Sequence, residues 1–131
     1  MGDKKFSLKP KSFNPFGDLL GLSFSMCQAG QSLCKLEVAD HLLNPHQVVH
    51  GGVIYSMADT GMGAALYSDL AQGESCTTIE IKMSYFKPVT AGQLICETKI
   101  INRGRKVATM ESEIKNNEQL VAKATGTFYI Y

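Results

Sequence analysis

The stretch from Asn44 to Leu66 reads NPHQVVHGGVIYSMADTGMGAAL, a His-Gly-Gly turn running into a long apolar segment that carries one acid. From Gly51 about eighteen residues pass without proline, apolar on nearly every side except at Ser56, Asp59 and Thr60. That pattern predicts a buried helix, not a surface one. Helical spacing surrounds Asp59 with Met57, Ala58, Met62, Gly63 and Ala64, so its carboxylate is expected among apolar side chains. Desolvating an unpartnered carboxylate costs several kcal/mol. Gly61, Gly63, Ala64 and Ala65 carry almost no side chain, although an interior glycine costs about 1 kcal/mol against alanine. Something is expected to pack very closely there.

On either side of this helix the pattern changes to strands. Upstream, Leu22 to Gln28 reads as one strand and Ser32 to Val38 as a second, with Ala29, Gly30 and Gln31 as a hairpin turn. Before them, FNPFGDLL (13–20) predicts a short helix capped by Asn14 with Pro15 at its first position, laying Phe16, Leu19 and Leu20 on the body. Downstream, Cys76 to Phe86 alternates Ile79, Ile81, Met83 and Tyr85 against Thr78, Glu80, Lys82 and Ser84 until Pro88 stops it. Gln93 to Asn102, Lys106 to Lys115 and Gln119 to Tyr131 follow, joined by turns at 103–105 and 116–118 that suit antiparallel neighbours. About six strands and one central helix define an α+β architecture, a sheet wrapped around a helix. Residues 1–12, with Pro10 and four lysines, are expected to form a flexible arm, and 13–131 a single domain. A wrapped sheet has open edges, one of which a small protein hides by pairing with a copy of itself.

Thirteen basic and twelve acidic residues among 131 leave a net charge of +1, which supplies no general field for capturing nucleic acid. No apolar run approaches the ~20 residues that span a bilayer. The cysteines at 27, 34, 76 and 96 form no CxxC pair and interleave with no histidines at ligand spacing, so neither a metal nor a redox cofactor is expected. Thiols in a reducing cytoplasm are the expected state.

At a helix start the first backbone N–H groups lack partners and the dipole is positive, so Gly51 and Gly52 can offer donors to an oxygen gaining negative charge. Plainer readings stand beside this one: the glycines as a turn, His50 as a cap, Asp59 as a carboxylate satisfied by a neighbouring hydroxyl. Asp59 lies eight residues beyond Gly51, about 12 Å along a helix rising 1.5 Å per residue. One acyl carbon cannot touch both. Acting together, they must come from two copies of the chain, with antiparallel helices placing each helix start near the other's Asp59. The small residues at 61, 63, 64 and 65 are expected to allow that approach. Near a carbonyl an aspartate serves as nucleophile or as general base on water.

Asn44, His50-Gly51-Gly52, Asp59, Thr78-Ile79-Glu80, Tyr85-x-x-Pro88 and the Gly126-Thr127-Phe128 finish together resemble the hotdog-fold acyl-CoA thioesterases of the phenylacetic acid degradation type, over most of the chain from about residue 22. The resemblance implies that the Gly51 N–H polarises the thioester carbonyl and that Asn44 and His50 help place substrate or water. It implies that Asp59 comes from the partner subunit, and that Thr78, or the adjacent Thr77, helps hold the lytic water or that acid. It further implies an acyl-CoA substrate, with aromatic, short or medium-chain acyl groups all open, and a homodimer as minimum unit within a homotetramer.

Coenzyme A carries phosphates that call for local basic groups. Arg103, Arg105 and Lys106 at one turn, and Lys82 on the long strand after the helix, are the candidates, with simple solvation as the plain alternative. A non-catalytic acyl-CoA or acyl-carrier-protein binding module on the same fold is the competing reading, against which Asp59 argues because binding alone needs no such acid. A hotdog dehydratase or hydratase would need a catalytic histidine, for which His50 is the candidate, and ranks below both.

Overall fold

The structure, a computed structural model, describes residues 14–131; the arm expected at 1–12 lies outside the described residues. One six-stranded antiparallel sheet in the order β1-β2-β4-β5-β6-β3 holds a single long helix. In chain order the elements are α1 (Pro15–Leu20), β1 (Ser23–Gln28), β2 (Gln31–Glu37), a short 3-10 turn (Asp40–Leu42), α2 (Gly51–Tyr67), β3 (Cys76–Tyr85), β4 (Gln93–Arg103), β5 (Val107–Asn116) and β6 (Gln119–Ile130). This is the hotdog arrangement, with α2 lying along the concave face.

Two tight hairpin turns run through positive φ. Ala29 and Gly30 take positive φ, 53° and 78°, and so form the tight hairpin turn whose twist matches that of the flanking strands. Asn117 and Glu118 do the same between β5 and β6. Strands β2 and β5 alternate cleanly, and with β4 and β6 they turn Cys34, Leu36, Leu94, Cys96, Met110, Ile114, Ala124 and Phe128 into the core.

Helix α2 buries Met57, Ala58, Met62, Ala65 and Leu66 fully against that face. Beneath its middle runs a seam of small polar groups. The Ser32 hydroxyl donates to the Gly61 carbonyl at 2.7 Å, and Thr98 and Ser112 share a 2.7 Å hydrogen bond. A Cβ on Gly61 would sit 2.8 Å from Thr98 Oγ1. The close packing expected from the small residues is therefore found, but its partner is the chain's own sheet. Gly61, Ala64 and Ala65 are buried there, and Gly63 alone of the four stays half-exposed. The three buried ones are accounted for within the chain, and Gly63 is left on the open side of the helix.

Two further expectations change. Asn14 caps α1 as expected, accepting from the Gly17 N–H at 3.1 Å, and Leu20 packs on the core. Phe16 and Leu19, however, are 54% and 68% exposed, because a helix of 6 residues turns only part of its surface inward. In β3 the alternation slips: a bulge between Thr78 and Glu80 leaves Ile79 unpaired with β6. Ile81 and Met83 pack on the core while Ile79 is 55% exposed. The extra residue moves Thr78 onto the helix-facing side, which strict alternation would have denied it. Among the described residues, no helix is long and apolar enough to cross a membrane.

Candidate active site

The helix start is assembled from three parts of the chain. Asn44 organises the loop before it, its Oδ1 accepting from the N–H groups of His46 at 2.9 Å and Val48 at 3.4 Å. The His50 N–H then donates to the Leu42 carbonyl at 2.9 Å, fixing where the helix begins. His50 is the N-cap: its Nδ1 accepts from the Gly52 N–H at 2.8 Å. The plain reading of His50 as a cap is thus correct as geometry. It leaves Nε2 as the nitrogen available to a ligand, since an amide N–H can only donate and Nδ1 must therefore be the unprotonated nitrogen. The Gly51 N–H, at the first helical position, has no partner among the described residues. It is a donor at the positive end of a helix of 17 residues.

Tyr85, at the end of β3, closes the other side. Its hydroxyl donates to the Gly51 carbonyl at 2.7 Å, and a Cβ on Gly51 would lie 3.2 Å from that oxygen and 3.3 Å from Cζ. A side chain at 51 would press on the phenol more tightly than ordinary contact, so the ring would have to give by a few tenths of an ångström. Burial, and secondarily the neighbouring Tyr55, raise the Tyr85 pKa, which keeps the phenol a donor.

Asp59 does not lie among apolar groups on all sides. It is half-buried on the outward stripe of α2, with Gly52, Tyr55, Ser56 and Gly63, beside the edge strand. Thr78 donates to its Oδ1 at 2.7 Å, and the bulge at Ile79 is what turns Thr78 that way. Thr77 faces Tyr129 across the ladder. Asp59 therefore has the hydroxyl partner of its plain reading, and its second oxygen remains available. Ser56 donates to the Gly52 carbonyl at 2.7 Å, within its own helix, and no base stands against it.

The structure thus groups Asn44, His50 and Gly51 at the helix start and, two turns along, Asp59 with Thr78. The basic candidates divide as well. Arg103 is committed to Asp69 at 3.3 Å and Glu74 at 3.2 Å, a clamp between β4 and the loop before β3. Lys82, Arg105 and Lys106 are exposed. Among the described residues no cluster of histidine, cysteine or acid could hold a metal ion, and no disulfide joins the cysteines. In the sequence Tyr85 stands in the alternation of its strand and in the Tyr85-x-x-Pro88 string; its contact with a glycine 34 positions earlier arises once the sheet closes.

The model of the thioesterase superfamily matches residues 46–123, more than half of the chain. A protein of Archaeoglobus fulgidus assigned as an esterase is 34% identical over 114 residues, covering 86% of this chain and 72% of the relative. The acyl-coenzyme A thioesterase PaaI of Escherichia coli is 28% identical over 101 residues, covering 76% and 70%. Among solved structures, a variant of the phenylacetic acid degradation protein PaaI from Thermus thermophilus superposes with a TM-score of 0.83 at 29% identity, covering 88% of this chain and 98% of that one. By its family match and its architecture, the chain belongs to the thioesterase superfamily and is a hotdog-fold thioester hydrolase.

Proposed function

We propose that the chain hydrolyses acyl-coenzyme A thioesters to a free acid and coenzyme A, at a site completed by two copies of itself. The observation that carries this reading is the separation of two prepared half-sites on one helix. A free backbone donor stands at its start, and a hydrogen-bonded carboxylate stands eight residues on, about 12 Å away. Strand β3, beside that carboxylate, is the edge that pairs with the second copy; its exposed Ile79 and Tyr85, at 55% and 50%, support this. The Escherichia coli and Thermus relatives bear names consistent with the substrate class.

In the reaction the thioester carbonyl oxygen accepts from the Gly51 N–H of one subunit, and the Asp59 carboxylate of the other takes a proton from water. The water oxygen bonds to the carbonyl carbon, and the oxyanion so formed is held by the amide and the helix dipole. Collapse breaks the carbon–sulfur bond. The coenzyme A thiolate leaves and recovers a proton from Asp59, and the acid product remains. Thr78 fixes the carboxylate through one oxygen and leaves the other for the water. The His50 Nε2–H and the Asn44 side-chain amide serve as further donors to substrate or water. Arg105, Lys106 and Lys82 are offered to the coenzyme A phosphates; Arg103 is held by its own acids and steadies the turn that presents Arg105 and Lys106.

Asp59→Asn keeps the hydrogen bond from Thr78 and removes the base. Thiol release from an acyl-CoA panel is expected to fall about 10²–10⁴-fold with the fold intact. A variant hydrolysing at the wild-type rate would leave the chain as a binder whose acid does no chemistry.

A further inference from the structure

Two hydrogen bonds at the helix start share one peptide unit. The Tyr85 hydroxyl donates to the Gly51 carbonyl at 2.7 Å, and the N–H of that same peptide, belonging to Gly52, donates to His50 Nδ1 at 2.8 Å. Accepting a hydrogen bond at a carbonyl oxygen strengthens the N–H of its own peptide as a donor, so the two bonds reinforce one another. From this geometry we infer that Tyr85 is a positioning residue for the thioesterase site, setting the His50 tautomer and the orientation of the Gly51 peptide through this relay.

The inference rests on the proposed hydrolysis for its catalytic meaning and on the relay alone for its structural one. Tyr85 reaches Gly51 from a strand 34 residues away, so it ties the oxyanion donor to the edge that bears Thr78. The ring packs closely on Gly51, its Cζ 3.3 Å from where a Cβ would stand. With the Gly51 carbonyl held on one side and His50 on the other, the neighbouring Gly51 N–H cannot turn away from an incoming carbonyl oxygen. The relay also pins the imidazole with Nδ1 as acceptor and Nε2 as donor. Raised by burial and by Tyr55, Tyr85 remains a phenol with a proton to donate across the neutral range.

Tyr85→Phe keeps the ring against Gly51 and deletes only the hydroxyl. In ¹⁵N-resolved spectra of the folded full-length protein, wild-type His50 is expected as the Nε2–H tautomer with a hydrogen-bonded Nδ1. The Phe variant is expected to show a mixture of tautomers or a weakened Nδ1 bond. With acyl-CoA, kcat is expected to drop about tenfold at nearly unchanged KM, a fraction of the 10²–10³ that loss of an oxyanion donor costs. A purely structural hydroxyl would lower Tm without moving the His50 signals. Unchanged His50 signals in a folded Tyr85→Phe protein overturn the inference, whatever the activity. Wild-type protein without thioesterase activity overturns the hydrolysis reading instead, and the spectra still decide the relay. Should the Phe variant fail to fold, 3-fluorotyrosine placed at position 85, which keeps the ring and makes its hydroxyl a stronger donor, is expected to shift the His50 Nδ1 signal towards a stronger hydrogen bond; an unmoved signal in that folded protein also overturns the inference.

Discussion

Strands β3 and β5 alternate about equally well in sequence, yet the fold treats them oppositely. In β5 every second residue disappears, with Ala108, Met110, Ser112 and Ile114 wholly buried. In β3 both faces stay open from Thr77 to Glu80, and Ile79 and Tyr85 are half-exposed or more. Strand β5 has a neighbour on each side, and β3 has β6 alone. The difference teaches that a single chain completes its core on one strand and leaves another open, at the place where the proposed site calls for a second copy. The strand carrying Thr78 is one of the sheet's two edges, and the carboxylate that Thr78 bonds stands beside it.

Substitutions that respect one strand and damage the other make the contrast testable. The largest expected effect is on β3: Ile79→Lys places a charge on the proposed pairing edge. It is expected to give a folded monomer by light scattering, with Tm nearly that of the isolated chain and hydrolysis reduced at least about a hundredfold, because each site loses one of its two halves. A dimer of full activity would show that β3 is exposed for some other reason. On β5, Ile114→Ala is expected to cost about 2–5 kcal/mol of stability by denaturant titration, with kcat of the folded fraction unchanged. Smaller still, Thr78→Val removes the hydroxyl that bonds Asp59, a hydrogen bond to a charged group worth about 1.5–3 kcal/mol. A fall in kcat of about tenfold or somewhat more is expected, with the oligomer intact, which would separate what β3 does for chemistry from what it does for assembly.

Much of this was legible in the residues. The strand and helix boundaries follow from alternation, from the Gly51–Tyr67 apolar run and from turn residues, since each depends on neighbours close in sequence. The His-Gly-Gly cap is equally local. What was not legible depends on closure of the sheet. The bulge at Ile79 lies in Thr-Thr-Ile-Glu, which contains no glycine to signal it, and yet it decides that Thr78 and not Thr77 meets Asp59. The small residues of α2 announced a close approach but could not name the partner, which is the chain's own Ser32 and Thr98. Arg103 looked like a phosphate ligand because its acids, Asp69 and Glu74, lie some thirty positions earlier. Phe16 and Leu19 read as core residues by hydrophobicity alone, and remain outside.

The most direct measurement of a site shared between subunits is mixing of two inactive chains. Gly51→Pro removes the oxyanion donor at a helix position where proline is tolerated, and His50, with φ −58° and ψ 134°, already has a backbone suited to precede it. Asp59→Asn removes the base. Refolded together in equal amounts, the two are expected to form mixed dimers in which one site has Gly51 from one chain and Asp59 from the other, both intact, restoring about a quarter of the wild-type rate. A mixture as inactive as either variant, with mixed dimers present by mass, would contradict a site built from two chains.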